Sequence, residues 1–446
     1  MNQPTHQEKE SPEIQRLITE IEIARTAGEY EKLPGLYPAV INQYLQHGNA
    51  PRALTLINEG VSLAEEHDDL LFTARLKGLE GLALRQIGNP KQALKAFKKS
   101  EQLGRKLDHV PILMDAMAQI GKIHAERGDY EQAVKPLEKA YRTAFENQDS
   151  QREMYLSGLQ GDTYLAMGQH GKAMEFYAIG LEKAQSLEKL EPQCSYQIAI
   201  GKIYLEKEDY GPAEEHFKNA LDLGSRLGHA GYEFQAFEHL LQLSIQKDDL
   251  PSALFHGQKA VQLAREIKDL GAEAANISKL VDYLLIKGKY QQALKYLDRG
   301  LHLAEEAHDQ EWQLKMISDL AVAHYYSENL ETAEKFMVRG LEIAVHLQKK
   351  AEEIILRSQL SALKADQGKI EESLIVAEEA LELARKHSLP LLEGDQNVLM
   401  GLAHYELGNR EKARQFIQQG VEIYQELNRL DLMKKAENYL EEISQG

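Results

Sequence analysis

Residues 121–140 read GKIHAERGDYEQAVKPLEKA, and residues 201–220 read GKIYLEKEDYGPAEEHFKNA. Both stretches begin with glycine, carry an Asp-Tyr pair in the middle, and have alanine at their thirteenth and last positions. Alanine occupies that thirteenth position in every 40-residue interval of the chain except one. A constant period without insertion or deletion indicates an internal repeat. The positions are Ala53, Ala93, Ala133, Ala173, Ala213, Ala253, Ala293, Ala333, Ser373 and Ala413.

A second column of the repeat indicates helices joined by tight turns. Glycine stands five residues before the alanine position in seven units, and Asn, Asp, Gln or Lys follows it. Glycine accepts the positive φ at the end of a helix, and Asn or Asp can cap the next helix. Two amphipathic stretches fill each unit and no strand-like alternation recurs, which predicts an all-α fold. The turn glycines are Gly48, Gly88, Gly128, Gly168, Gly288, Gly368 and Gly408.

The unit resembles the tetratricopeptide repeat (TPR), and the resemblance extends over about residues 34–443. It implies helix pairs stacked into a right-handed superhelix with a concave inner surface. The period is 40 residues rather than the usual 34, and the proline that usually closes the unit is missing. The chain is therefore similar to the longer-repeat members of the family. The residues that match best are Gly121, Gly128, Asp129, Tyr130, Ala133, Leu137 and Ala140.

One helical hairpin cannot bury its own apolar face, so neighbouring hairpins must stack into a continuous core. We predict an all-α, right-handed α-solenoid of about ten helix-turn-helix repeats over residues 34–429. Residues 12–33 are predicted to form an N-terminal capping helix, and residues 430–446 a C-terminal capping helix and tail. Residues 1–11 are polar and are predicted to be a disordered tail.

The composition excludes several classes of function. The 70 acidic residues exceed the 52 basic ones and give a net charge of −18, which repels phosphate backbones and argues against nucleic-acid binding. The single cysteine, Cys194, cannot form an intramolecular disulfide. No apolar leader and no run of 18 apolar residues occurs, so we expect a cytoplasmic protein without direct membrane insertion.

No motif of a catalytic or nucleotide-binding site was found: GxxxxGK[ST], GxGxxG, GxSxG and HExxH are all missing. Several histidines recur in one column, as His124, His324 and His404. Packing against the partner helix explains them better than metal ligation, which needs convergent partners. Cys194 has no basic neighbour that would activate its thiol. We therefore predict no catalytic residue, no cofactor and no metal.

Candidate partner-binding residues follow from the TPR resemblance, which implies a groove lined mainly by the first helix of each repeat. Two interpretations compete for the charged members at Lys122, Asp162 and Lys202: a ladder of ion pairs between adjacent repeats, or groups that bind an extended peptide. The predicted groove residues are Asn42, Arg75, Arg85, Asp115, Lys122, Tyr155, Asp162, Lys202, Gln242, Asp282, Tyr325 and Tyr405.

These features predict a non-enzymatic scaffold or adaptor that binds a protein or extended peptide in the groove. The alternative is a sensory regulator, similar to the bacterial TPR regulators that bind a short signalling peptide and switch a partner protein. The Lys/Asn pattern with which TPR co-chaperones grip a C-terminal carboxylate is missing at Ala118/Lys122 and Gly158/Asp162. The sequence leaves open the partner, the oligomeric state and the role of the degenerate repeats six, eight and nine.

Overall fold

The structure is a computed structural model that describes residues 11–445. Within these residues the chain forms 22 α-helices and no strand, as the period-40 pattern predicts. The predicted disordered tail lies outside the described residues except for Ser11, whose hydroxyl caps the first helix by accepting from the Ile14 N–H at 3.3 Å. No helix in the described part is long and apolar enough to cross a membrane.

Twenty of these helices form ten pairs, and one further helix stands at each end of the described chain. A short 3-10 turn, Tyr30–Lys32, precedes the first pair. The first eleven helices are α1 (Pro12–Thr26), α2 (Leu33–Gln46), α3 (Ala50–Glu66), α4 (Leu70–Gln86), α5 (Pro90–Lys106), α6 (Val110–Glu126), α7 (Tyr130–Glu146), α8 (Ser150–Ala166), α9 (His170–Ser186), α10 (Leu190–Glu206) and α11 (Tyr210–Leu227). The others are α12 (Ala230–Gln246), α13 (Leu250–Glu266), α14 (Leu270–Ile286), α15 (Tyr290–Glu306), α16 (Gln310–Tyr326), α17 (Leu330–His346), α18 (Lys350–Asp366), α19 (Ile370–Lys386), α20 (Pro390–Glu406), α21 (Arg410–Glu426) and α22 (Leu430–Gln445).

The helices fall into two compact units that divide between Ala236 and Phe237, within α12. We call them the N-terminal and the C-terminal unit. In each unit, helices that follow one another in sequence pack together, as α4 does on α5 and α20 on α21. Each unit is therefore an α-solenoid segment, in which a hairpin buries its apolar face against its neighbours.

The turns within each pair follow the predicted chemistry. All seven predicted turn glycines have φ between +65° and +78°, a region that a Cβ disfavours. The side chains of Asn49 and Asn89 accept from the backbone N–H groups of Arg52 and Gln92, both at 3.3 Å, and so cap α3 and α5. Asp129 makes no such side-chain bond to α7. The caps at Asn49 and Asn89 are confirmed, whereas neither Asp129 nor Asn409 makes a side-chain cap bond.

Close packing within a pair depends on one small and one large residue. A Cβ built on Gly161 would lie 2.4 Å from the Tyr177 ring, so the tyrosine occupies the space above the glycine. The sixth repeat inverts the arrangement, since Leu241 stands at the glycine position and Gly257 at the position of the large residue. Each of the two positions departs from the repeat pattern, but the larger side chain at one compensates for the smaller one at the other, so the volume packed within the helix pair is kept.

A buried polar column runs through the fourth residues of several first helices. Glu153, Glu273 and Glu353 are buried. Each forms an ion pair, with Lys183, Arg299 and Arg357 respectively. In two other repeats the column holds glutamine: the amides of Gln193 and Gln313 donate to the carbonyls of residues 184 and 304, both at 3.1 Å. The two glutamines, and Glu273 through Arg265, tie the start of a first helix to the preceding second helix. Glu153 instead pairs with the following second helix, and Glu353 pairs within its own helix.

Candidate functional site

The first helices of neighbouring repeats lie next to each other in the N-terminal unit. Helix α2 contacts α4, α4 contacts α6, and α6 contacts α8, although a second helix separates each of these pairs in sequence. Side chains on the shared surface of α2, α4, α6 and α8 therefore come from four successive repeats. This is the surface on which the sequence places the predicted groove residues.

A cavity of about 350 Å³ opens on this surface, and we call it the N-terminal groove. Its floor is mainly apolar and includes Leu79, Leu82, Phe97 and Ile112. Its size and apolar lining are those of pockets that accept a small ligand or a few side chains. The other lining residues are Pro38, Asn42, Ala74, Arg75, Gly78, Ser100, Asp115, Ala116, Ala118, Gln119 and Tyr155.

Four of the predicted groove residues meet at this cavity: Asn42, Arg75, Asp115 and Tyr155. Asp115 accepts two hydrogen bonds from the Arg152 guanidinium, at 2.9 and 3.1 Å, so its charge is compensated within the chain. Arg75 is exposed and, within residues 11–445, has no carboxylate oxygen within 4.0 Å. The groove thus presents one neutralised carboxylate and one cation that is open to a ligand.

Tyr155 and Gln119 form a polar wall of the N-terminal groove. Tyr155 is 41% exposed, but burial around its hydroxyl raises the pKa of that group, and the nearby Gln119 amide acts in the opposite direction. The Gln119 Oε1 atom is buried and has no hydrogen-bond partner in the described structure. Gln119 also lines the groove, so a turn of its side chain would bring this unpaired acceptor within reach of a ligand donor.

The ladder of ion pairs considered for Lys122, Asp162 and Lys202 is not formed in the described structure. Asp162 accepts instead from the Tyr177 hydroxyl at 2.7 Å, and burial together with this carboxylate raises the pKa of Tyr177. Neither lysine has a carboxylate oxygen within 4.0 Å among the described residues. Both ammonium groups therefore remain available on the first-helix surface.

The remaining predicted residues do not join the N-terminal groove. Arg85 pairs with Glu126 at 3.3 Å. Gln242, Asp282, Tyr325 and Tyr405 belong to the C-terminal unit. There, Asp282 lies 2.6 Å from the Lys315 ammonium, the Tyr325 hydroxyl donates to the Asp366 carboxylate, Tyr405 packs on the C-terminal apolar cluster, and Gln242 is exposed.

Sequence reasoning missed Gln119, which lies three residues before Lys122 and thus one helical turn away on the same face. The residue could have been predicted, because residues three positions before the predicted groove residues lie on the same face of the first helix. Ile112, in the first turn of α6, is a second lining residue that the predicted groove columns do not include.

Two of the three recurring histidines pack on aromatic rings. His324 stacks on Phe336 and His404 on Phe416, with ring centroids 5.6 and 5.4 Å apart, and burial lowers the pKa of both histidines. Across the described residues, no group of three or more His, Cys, Asp or Glu side chains is arranged to hold a metal ion. Cys194 is buried, which raises the pKa of its thiol to about 11.

The geometry defines an α-solenoid of helical hairpins with a groove on its first helices. A sequence model of the tetratricopeptide repeat matches residues 72–144, and a second such model matches residues 397–427. The chain therefore contains tetratricopeptide repeats, which confirms the resemblance seen in its sequence. A model of anaphase-promoting complex subunit 5 matches residues 29–75.

Curated relatives match only in part. Outer dynein arm-docking complex subunit 4 of Xenopus laevis is 24% identical over 156 residues, which are 35% of this chain and 29% of that protein. Tonsoku-like protein of Danio rerio is 24% identical over 202 residues, 39% of this chain and 14% of that protein. The chain thus spans less than a third of the length of these relatives.

Among solved structures, the apo form of the quorum sensor NprR from B. thuringiensis aligns with 17% identity and a TM-score of 0.46. The alignment covers 78% of this chain and 97% of that one.

Proposed function

We propose that the chain is a non-enzymatic protein-interaction scaffold and that its N-terminal groove binds an extended segment of a partner protein. The observation that carries the proposal is the combination of an apolar floor with the unpaired Gln119 acceptor and the unpaired Arg75 cation. A peptide supplies what both groups lack, because its backbone N–H can donate to Gln119 and its carbonyl or carboxylate oxygens can accept from Arg75.

The apolar floor sets a second requirement for the partner segment. Leu79, Leu82 and Ile112 line the cavity together with the Phe97 ring, and burying an apolar side chain on them would remove it from water. Each such side chain would contribute about 1.5–3 kcal/mol if fully buried. The partner segment therefore carries at least one large apolar residue beside its polar contacts.

Lys122 and Lys202 extend the contact surface into the third and fifth repeats. They belong to the N-terminal unit and have no ion-pair partner among residues 11–445. An extended segment that leaves the groove along the first helices meets these ammonium groups, which favours acidic residues at that end of the segment. The partial similarities to a subunit of the outer dynein arm-docking complex and to the sequence model of an anaphase-promoting complex subunit are consistent with a scaffold role.

Site-specific photo-crosslinking tests the location of the binding surface. Tyr155 is replaced by p-benzoylphenylalanine in the full chain, which is irradiated in a native lysate, and crosslinked proteins are identified by mass spectrometry. The matched control carries the same group in place of Phe255, a 54% exposed aromatic residue of the C-terminal unit. We expect a protein crosslinked from position 155 and not from position 255.

A groove variant with Arg75→Glu and Gln119→Leu should reduce that crosslinked product at least about tenfold, since it removes a charge-assisted bond and the buried acceptor. Circular dichroism establishes that the variant keeps its helices. An undiminished product from the variant would place the partner outside the groove. Recovery of free short peptides, with no protein, would favour the signalling-peptide sensor instead.

A further inference from the structure

Helix α5 carries a face of unpaired lysines. Lys91, Lys95, Lys98, Lys99 and Lys106 are all exposed, and within the described part of the chain none has a carboxylate oxygen within 4.0 Å. By contrast, Arg105 of the same helix pairs with Glu101 at 2.6 Å. We call these five residues the α5 lysine face. It is a local excess of positive charge on a chain whose net charge is −18.

This arrangement destabilises the free helix. Lys91 and Lys95, and again Lys95 and Lys99, are four residues apart, where like charges repel across one helical turn. Lys91 also lies in the first turn of α5, at the positive end of the helix dipole. The repulsion would be relieved by a negatively charged partner.

The fold itself does not require lysine at these positions. Seven repeats later, α19 has Glu371, Glu378 and Glu379 where α5 has Lys91, Lys98 and Lys99. The opposite charge is thus compatible with the same helix in the same packing environment. The lysines of α5 are therefore free to serve recognition.

The positive surface continues on the next second helix. Lys135 and Lys139 of α7 stand one period after Lys95 and Lys99, and both are exposed, as is Arg142. None of these three has a carboxylate within 4.0 Å in the described structure. Helices α5 and α7 both pack on α6, so the two sets of cations belong to one region of the N-terminal unit.

We propose that the α5 lysine face is a second interaction surface, which binds an acidic segment of a partner protein. It is separate from the N-terminal groove, because the α5 side chains that line the groove, Phe97 and Ser100, are buried, whereas the five lysines are exposed on the other side of the helix. Lys91 and Lys106 are 15 residues apart, about 22 Å along a helix, which an extended acidic segment of about seven residues spans.

A protein segment fits this surface better than a nucleic acid does. The unpaired cations of α5 are lysines, which lack the planar fork with which arginine grips phosphate groups. The one aromatic side chain of α5, Phe97, is buried and cannot stack on a base. A long polyanion would also meet the rest of a strongly acidic chain, whereas a short segment meets only the local patch.

The test uses a fluorescein-labelled twelve-residue peptide of alternating Glu and Ser and the full chain, with binding followed by fluorescence anisotropy. We expect saturable binding that weakens when salt rises from about 50 to 150 mM, because the Debye length shortens. Lys98→Glu with Lys99→Glu should lower the affinity at least about tenfold. The control variant, Lys386→Glu with Lys434→Glu, makes the same charge change at exposed lysines of the C-terminal unit. It should bind the peptide with the affinity of the wild type.

Three results would overturn the proposal. Equal affinities for both variants would mean that the peptide does not use α5. Tighter binding of a 12-base-pair DNA duplex, lost in the same variant, would make the surface a nucleic-acid site. Self-association of the wild type in sedimentation velocity that disappears in Lys98→Glu/Lys99→Glu would make a second copy the occupant. Arg75→Glu/Gln119→Leu should leave peptide binding intact, which separates this surface from the N-terminal groove.

Discussion

Glu273 has no exposed surface, and two guanidinium groups hold it. Arg299 donates from Nε to Oε1 and from Nη2 to Oε2, both at 2.9 Å, while Arg265 donates from Nη2 to Oε1 at 2.8 Å. A buried carboxylate is tolerated only when its charge is compensated in this way. The residue therefore acts as a polar clamp between α13, α14 and α15.

We expect Glu273→Gln to lower the free energy of unfolding by about 1–3 kcal/mol at pH 7, because it leaves two arginines facing a neutral amide. Urea denaturation followed by circular dichroism measures the change. The control Glu371→Gln alters an exposed carboxylate and should stay within about 0.5 kcal/mol of the wild type.

The difference in free energy of unfolding between the wild type and Glu273→Gln should become smaller at acidic pH. The hydrogen bond from Arg299 is the largest cause that holds the pKa of Glu273 below its usual value, with burial opposing it. A carboxylate with a depressed pKa stabilises the fold fully above its unfolded pKa of about 4.3, and this contribution is lost as the pH falls through the folded pKa. If this difference in free energy of unfolding stayed constant between neutral and acidic pH, it would contradict a stabilising role of the Glu273 carboxylate.

Helix pairs depend on the absence of a side chain at particular glycines. We expect Gly161→Ala to destabilise the chain by about 1–3 kcal/mol, since its Cβ would meet the Tyr177 ring and overpack the pair. Gly171→Ala is the matched control in the same repeat: nothing lies within 4 Å of its added Cβ, so it should be neutral or slightly stabilising. Thermal unfolding of the two variants would show the difference, and equal melting temperatures would contradict it.

At the level of elements, periodicity predicted the helix pairs and their glycine turns because these depend on residues close in sequence. The exchange of Leu241 and Gly257 was not predictable from columns read singly, since the two positions compensate each other across a hairpin. The groove shows the same limit. Asn42, Arg75, Asp115 and Tyr155 line one cavity, whereas Asp162, one of the residues considered for an ion-pair ladder, accepts from Tyr177 of a second helix.

At the scale of the whole molecule, the effect of a destabilising substitution should stay close to the substituted residue, because the helices that pack together are neighbours or next neighbours in the chain. Leu137→Ala empties a fully buried site and should cost about 2–5 kcal/mol. Hydrogen exchange should then increase in α6, α7 and α8 and remain unchanged in α14, α15 and α16.

Leu297→Ala, at the corresponding position of the C-terminal unit, is the reciprocal control and should give the opposite distribution. Faster exchange throughout the chain in either variant would instead mean that all repeats open together, as a single cooperative unit.

The constant 40-residue period has a consequence for how such a chain can change in length. Ten successive repeats contain neither an insertion nor a deletion, so equivalent residues recur at the same position of every repeat. A recombination between two copies of the gene that is out of phase by one period adds or removes one complete hairpin, and all turns stay in frame. A repeat added in this way packs on its neighbours through the same kinds of contact that the other repeats make. A single codon inserted within a helix, by contrast, rotates all later side chains of that helix by about 100° around its axis.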